Sequence, residues 1–229
     1  MTKEEFLPTL SKKAQNIVND SMKFWNNNRT FSVFYSNNCS KAVSKNNCDY
    51  TIYVKNDISK EIECRFLHEF FHCVQFEKGF PSLVGNDDKY KELATFLSSI
   101  ILDLNVMKQL EDNGYFQHIK YIEKSIDSSI KLLELIEKHN LKEEITNTID
   151  IINMAGLIIT SELTNINNKK FVMLIKKSRP EVFEYYAVFS ESLKMYSYDT
   201  AEDVKEIFEY LLKHFNLTAF IKIQTHYNY

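Results

Sequence analysis

Apolar residues recur at helical spacing along most of this chain. Phe6, Leu10, Ala14, Ile17, Met22 and Trp25 mark a helix over residues 3–28. The segments FSVFYS (31–36) and DYTIYV (49–54) break that rhythm. They are rich in β-branched and aromatic residues, which predicts two strands joined by the polar loop NNCSKAVSKNNC. The helical period returns over 59–78, where Gly79 and Pro81 end it. A further helix starts near Asn86 or Asp87, with acids in its first turn, and runs to about Glu111. Ile119, Ile122, Ile126, Ile130, Leu133 and Ile136 form a stripe on a helix over 116–139, and another helix covers about 142–164. FVMLIKK (171–177) fits helix or strand. Ser178 and Glu181 have capping-box spacing with Pro180 in the first turn, which predicts a helix over 180–196. Thr200 and Asp203 resemble another cap, opening a helix to about Phe215, and LTAFIKIQ (217–224) reads as a last strand. The expected fold is α+β and predominantly helical, with a small antiparallel sheet beside the 59–78 helix and a helical second half. No composition shift or linker marks a boundary. The expectation is one domain over 1–229, with a core in 1–112 and a mainly helical part in 113–229.

Composition narrows the function classes. The chain has 229 residues, 44% of them apolar, enough for a sizeable core. Four glycines and three prolines are few, in keeping with a helical chain. A net charge of −3, from 28 basic and 31 acidic residues, gives no electrostatic case for nucleic acid. No run of 18 apolar residues occurs, so no membrane span is expected, and IDIINMAGLIIT is broken by Asp150 and Asn153. The first residues lack an apolar core and a small-residue cleavage site, which predicts a cytoplasmic location, with leaderless export left open. Cys39, Cys48, Cys64 and Cys73 form no CxxC pair and read as four thiols, although Cys39 and Cys48 are placed to bridge a loop in an oxidising compartment.

Chemistry concentrates in RFLHEFFHCVQ (65–75). His68 and His72 stand four residues apart on one helix face, about 6 Å from each other, which suits two corners of a tetrahedral zinc site. Glu69 is turned about 100° from His68, so it does not compete for the ion but reaches a water beside it, where a general base must stand. Ile62, Phe66, Leu67, Phe70, Phe71 and Val74 fill one broad arc of the helix, and both histidines and Gln75 fall outside it. The competing reading is a pair of ordinary surface histidines on an amphipathic helix. The dense apolar flanks, which make this a central helix, count against it.

HEFFHCVQ resembles the active-site helix of the gluzincin class of zinc metallopeptidases, HExxH enzymes whose third ligand is a glutamate on the next helix. In thermolysin-like members that glutamate follows the second histidine by about twenty residues. Here Glu92 does so, at 92 − 72 = 20, with small Ala94 nearby for close helix packing. The likeness covers roughly residues 50–105. It implies one zinc per chain held by His68, His72 and Glu92. Where thermolysin-like members carry an aspartate that orients a histidine, this chain has Phe96, so Thr95, Ser99 or a backbone carbonyl would supply that hydrogen bond. A rival ligand is Glu184 in PEVFEYYAVFSES, which is similar to the third-ligand helix of lethal-factor-like peptidases, at the longer separation 184 − 72 = 112.

The resemblance implies hydrolysis of a peptide or protein substrate by a zinc-activated water, with Glu69 as base. Tyr185, Tyr186, His214 and His226 are the candidates for steadying the oxyanion. It also implies that DYTIYV is an edge strand pairing with extended substrate. The alternatives are a peptidase-like binding protein without activity and a zinc hydrolase acting on something other than a peptide.

Overall fold

The computed structural model describes residues 1–25, 29–37, 40–45, 49–55, 61–139 and 148–225. Among them the fold is α+β and predominantly helical. Cys39 and Cys48, the candidate His226 and residues 142–147 of the expected sixth helix lie outside the described residues.

The first expected helix is two. Helix α1 (Lys3–Phe6) passes into a 3₁₀ turn containing Pro8, and α2 (Lys12–Met22) begins afresh behind a Ser11 cap that accepts from the Ala14 amide. Proline has no amide to continue the first ladder, and serine is a strong cap. The sheet also differs from the expected antiparallel pair. Strands β1 (Phe31–Ser36) and β3 (Asp49–Lys55) run parallel, Phe31 facing Tyr50 and Ser36 facing Lys55. Strand β2 (Lys41–Lys45) is antiparallel to β3 and lies on its other side. It comes from the segment read as a loop. Two lysines in five residues hide its strand character, and they are what an edge strand uses to discourage further pairing. DYTIYV is therefore the central strand, with both edges occupied, and cannot take up a substrate strand.

The chain forms two compact units. The first comprises Met1–Phe80 and Val106–Tyr115, with Thr225; the second comprises Pro81–Asn105 and Phe116–Gln224. Residues 81–105 belong with the later helices.

The core of the first unit is built around α3 (Ile62–Glu77), which packs against β2, β3 and α2. Phe66, Leu67, Phe70, Phe71 and Val74 are buried there, as the apolar arc predicts. Trp25 stacks on Phe70 at 5.5 Å, and Phe31 meets both Phe66 and Phe70 at 5.7 Å. Each such ring contributes about 1.5–3 kcal/mol on burial. The helix ends where Gly79 takes φ 76, letting the Phe80 amide donate to the Gln75 carbonyl and the Gly79 amide to Phe76.

Two carboxylates fix the ends of α3. In its first turn Glu63 accepts from the Ser11 amide and hydroxyl and from the Tyr115 hydroxyl at 2.7 Å. In its last turn Glu77 accepts from Arg29 at 2.6 Å and from the Tyr50 hydroxyl at 2.7 Å. Burial and the bond to Glu77 push the Tyr50 hydroxyl well above its usual range. Burial works to raise Glu63, but its hydrogen bonds outweigh that and hold it below the usual carboxylate value.

The second unit holds α5 (Gln117–His139), α6 (Thr148–Leu163), α7 (Lys169–Ser178), α8 (Val182–Met195) and α9 (Ala201–His214), together with most of α4 (Asp88–Asp112). FVMLIKK is thus helical. The capping box expected from Ser178 and Glu181 does not form: Ser178 is the last residue of α7, and Glu181 caps α8 without a side-chain bond. Thr200 does cap α9, accepting from the Asp203 amide. Strand β5 (Ile221–Gln224) pairs antiparallel with β4 (Ser82–Gly85), inside the stretch read as a helix–helix connection. Gly85 lets the end of β4 lie against the first turn of α4, since a Cβ there would stand 2.1 Å from the Tyr90 backbone. Gly156 on α6 packs likewise against the Ile100 side chain. Among the described residues α4 is the one helix long and apolar enough to cross a membrane, and 61% of that apolar window is buried within the fold.

Candidate metal centre

Helix α3 presents His68 and His72 as the sequence predicts. Their rings lie 5.0 Å apart, nearly perpendicular, and both are half-buried. Between them in sequence, Glu69 turns inward and is only 8% exposed. The same turn holds Cys73, whose thiol donates to the Glu69 carbonyl at 3.5 Å. Burial pushes that thiol well up, with Glu69 and Glu77 adding to it.

Asp103, on α4, joins the histidines. Ligand atoms of His68, His72 and Asp103 all lie within 4.8 Å of one another, the one such group of three among the described residues. The helix itself explains the placement. Asp103, Val106 and Leu110 stand at i, i+3 and i+7 on one face of α4, and Val106 and Leu110 are buried in the α3 core. Beyond the helix end, Tyr115 binds Glu63 at the start of α3.

The set fits a divalent ion. Two imidazoles and one carboxylate, with a position left open, is the donor chemistry of catalytic zinc sites. Ligand bonds of about 2.0–2.1 Å place donors about 3.3 Å apart, inside the 4.8 Å within which these atoms lie. Behind His72 stands Gln75, 1% exposed, with its amide oxygen 2.9 Å from His72 Nδ1. The expectation that Thr95 or Ser99 would orient a histidine is not met. Their hydroxyls donate to the Lys91 and Phe96 carbonyls of their own helix.

The other expected site residues are not brought to this group. Glu92 is exposed, eleven residues before Asp103 and about 16 Å back along α4. Glu184 is exposed on α8. Tyr185 stacks on Phe215 at 4.9 Å. The Tyr186 hydroxyl donates to Glu162 at 2.9 Å and is raised by burial and by that bond. His214 is exposed, its ring 3.8 Å from Tyr210 and its Nδ1 2.8 Å from the Tyr210 carbonyl.

Sequence reasoning missed Asp103 and gave Gln75 no role. A signal for Asp103 is present: it is the only charged residue between Leu93 and Met107, inside the run IILDLNVM. A lone acid within an apolar helix face is there for a reason. No family model, no curated protein and no solved structure matches this chain.

Proposed function

We propose that the chain is a metal-dependent hydrolase in which His68, His72 and Asp103 hold one divalent ion and Glu69 is the general base. The observation that carries this is the meeting of a third, carboxylate donor with the two histidines of an HExxH helix. The preferred ion is zinc, one per chain; a two-histidine, one-carboxylate set also accepts iron(II). When bound, the ion supplies a Lewis acid and lowers the pKa of a neighbouring water. Glu69 follows His68 on the same rigid helix and would take a proton from a water beside the ion and return it to the leaving group. Its burial lowers the local dielectric and so strengthens its action on a nearby charge. Peptide-bond cleavage is the reaction class, supported by the likeness of HEFFH to the gluzincin helix. With aspartate in place of the glutamate that defines the class, that likeness rests on the HExxH helix.

Elemental analysis of metal-replete protein should find about one zinc per chain, lost in His72→Ala. Glu69→Gln should keep the metal while cleavage of an unstructured protein falls by about 10²–10⁴-fold. Wild-type protein without stoichiometric metal, or Glu69→Gln with activity within a few-fold of wild type, ends this reading.

A further inference from the structure

We infer that Gln75 is the positioning residue that makes Nε2 of His72 the metal-ligating nitrogen. The 2.9 Å contact between the Gln75 amide oxygen and His72 Nδ1 joins two residues three apart on α3, so it is built into one turn of a rigid helix. An amide oxygen only accepts, so Nδ1 must carry the proton and donate it. In the neutral ring Nε2 then holds the lone pair, and a metal needs that lone pair. Gln75 is 1% exposed and cannot swing to solvent. It is fixed further by its backbone, whose carbonyl accepts from the Phe80 amide in the turn at Gly79. Neutral imidazole in water favours the proton on Nε2, so this arrangement opposes the ring's own preference. The corresponding i+3 position from His68 is Phe71, which offers no acceptor.

The ligand half of this inference rests on the metal reading above; the tautomer half does not. Long-range ¹H–¹⁵N correlation spectra of the metal-free wild-type protein, near neutral pH, report which His72 nitrogen is protonated. The expected result is protonated Nδ1 and bare Nε2. Gln75→Met keeps the side-chain length and removes the acceptor; its His72 proton should move to Nε2, and zinc affinity, measured against a chelator, should fall about 10–100-fold. Gln75→Glu restores an acceptor and should restore both the Nδ1 proton and the affinity. A wild-type His72 protonated on Nε2 overturns the inference without any variant, which covers the case that Gln75→Met does not fold. A Gln75→Met protein that keeps the Nδ1 proton and wild-type affinity overturns it too. Wild-type protein with protonated Nδ1 that binds no zinc overturns the ligand role and the metal reading together.

Discussion

Two carboxylates on the same helix, Glu92 and Asp103, stand in opposite settings. Glu92 sits in the second turn of α4, exposed, with Lys91 beside it and the helix start a few residues behind. Asp103 sits mid-helix, half-buried, flanked by buried Leu102 and Leu104 and on the same face as buried Val106 and Leu110. The first costs nothing to keep and is what a solvated helix acid looks like. The second pays for partial desolvation, and a buried charge persists where a partner rewards it. The interval from His72 favours Glu92. The setting favours Asp103, and the setting is the better guide because it records what the rest of the helix is packed against.

The largest expected effect breaks that contrast directly. Asp103→Ala should weaken zinc binding by roughly three orders of magnitude, because two histidines without a third protein donor hold the ion poorly. Bound ligand stabilises a fold by mass action, so wild-type protein should melt higher with zinc than without, and Asp103→Ala should lose that difference. The zinc-dependent difference in melting is the readout, since Asp103 also takes part in an interaction of the metal-free fold that the substitution removes. A chelator titration together with melting curves reads both. Unchanged affinity would return the third-ligand role to another residue.

How far this centre was legible follows from which features are local. The HExxH helix, its apolar arc, its Gly79 end and the Thr200 cap all depend on residues within a few positions, and each stands where expected. The partner of α3 does not. The interval to Glu92 assumes the simplest return path, a short connection followed by one turn of the next helix. Residues 82–85 form a strand instead, paired with a segment some 140 residues later, and α4 is tied to α3 near its other end through Val106, Leu110 and Tyr115. Long-range pairing of that kind leaves little trace in local pattern. The same holds for β2, whose lysines masked it, and for the parallel pairing of β1 with β3.

A smaller effect tests the tie that carries Asp103 into place. Tyr115→Phe removes a hydrogen bond to a partly buried carboxylate and should cost about 1–2 kcal/mol. The two partners give opposite pH signatures. Glu63 is held below its unfolded value, so its contribution is complete above about pH 4.5 and is lost as pH falls through the lower folded value. The Tyr115 hydroxyl is pushed up to about 12, first by burial and then by Glu63, so its contribution is complete below about pH 10 and is lost as pH rises toward 12. Denaturant midpoints across pH should therefore drop at both extremes in wild type. In Tyr115→Phe the acid slope should shrink and the contribution of this group to the alkaline slope should vanish. A variant as stable as wild type with both slopes intact would mean that the tie does not hold α4 to α3.

The smallest effect is the sharpest control on the comparison. Glu92→Ala should leave zinc affinity within about twofold of wild type and stability within about 0.5 kcal/mol. The stability estimate is a near cancellation. An acid close to a helix N-terminus gains about 0.3–1 kcal/mol from the dipole when exposed, the lower end applying beyond the first turn. Alanine has the better intrinsic propensity by a few tenths. The affinity estimate is geometric: eleven residues of α4 separate Glu92 from Asp103, and about 16 Å of helix cannot be crossed by a glutamate side chain. Glu184→Ala, on α8, should be equally silent, so the pair forms a control for surface charge as such. The decisive pattern is a large loss of affinity in Asp103→Ala with none in either glutamate variant. A loss in Glu92→Ala comparable to that of Asp103→Ala would show that α4 presents its first turns to the histidines when metal binds, and would restore the twenty-residue interval as the one that matters.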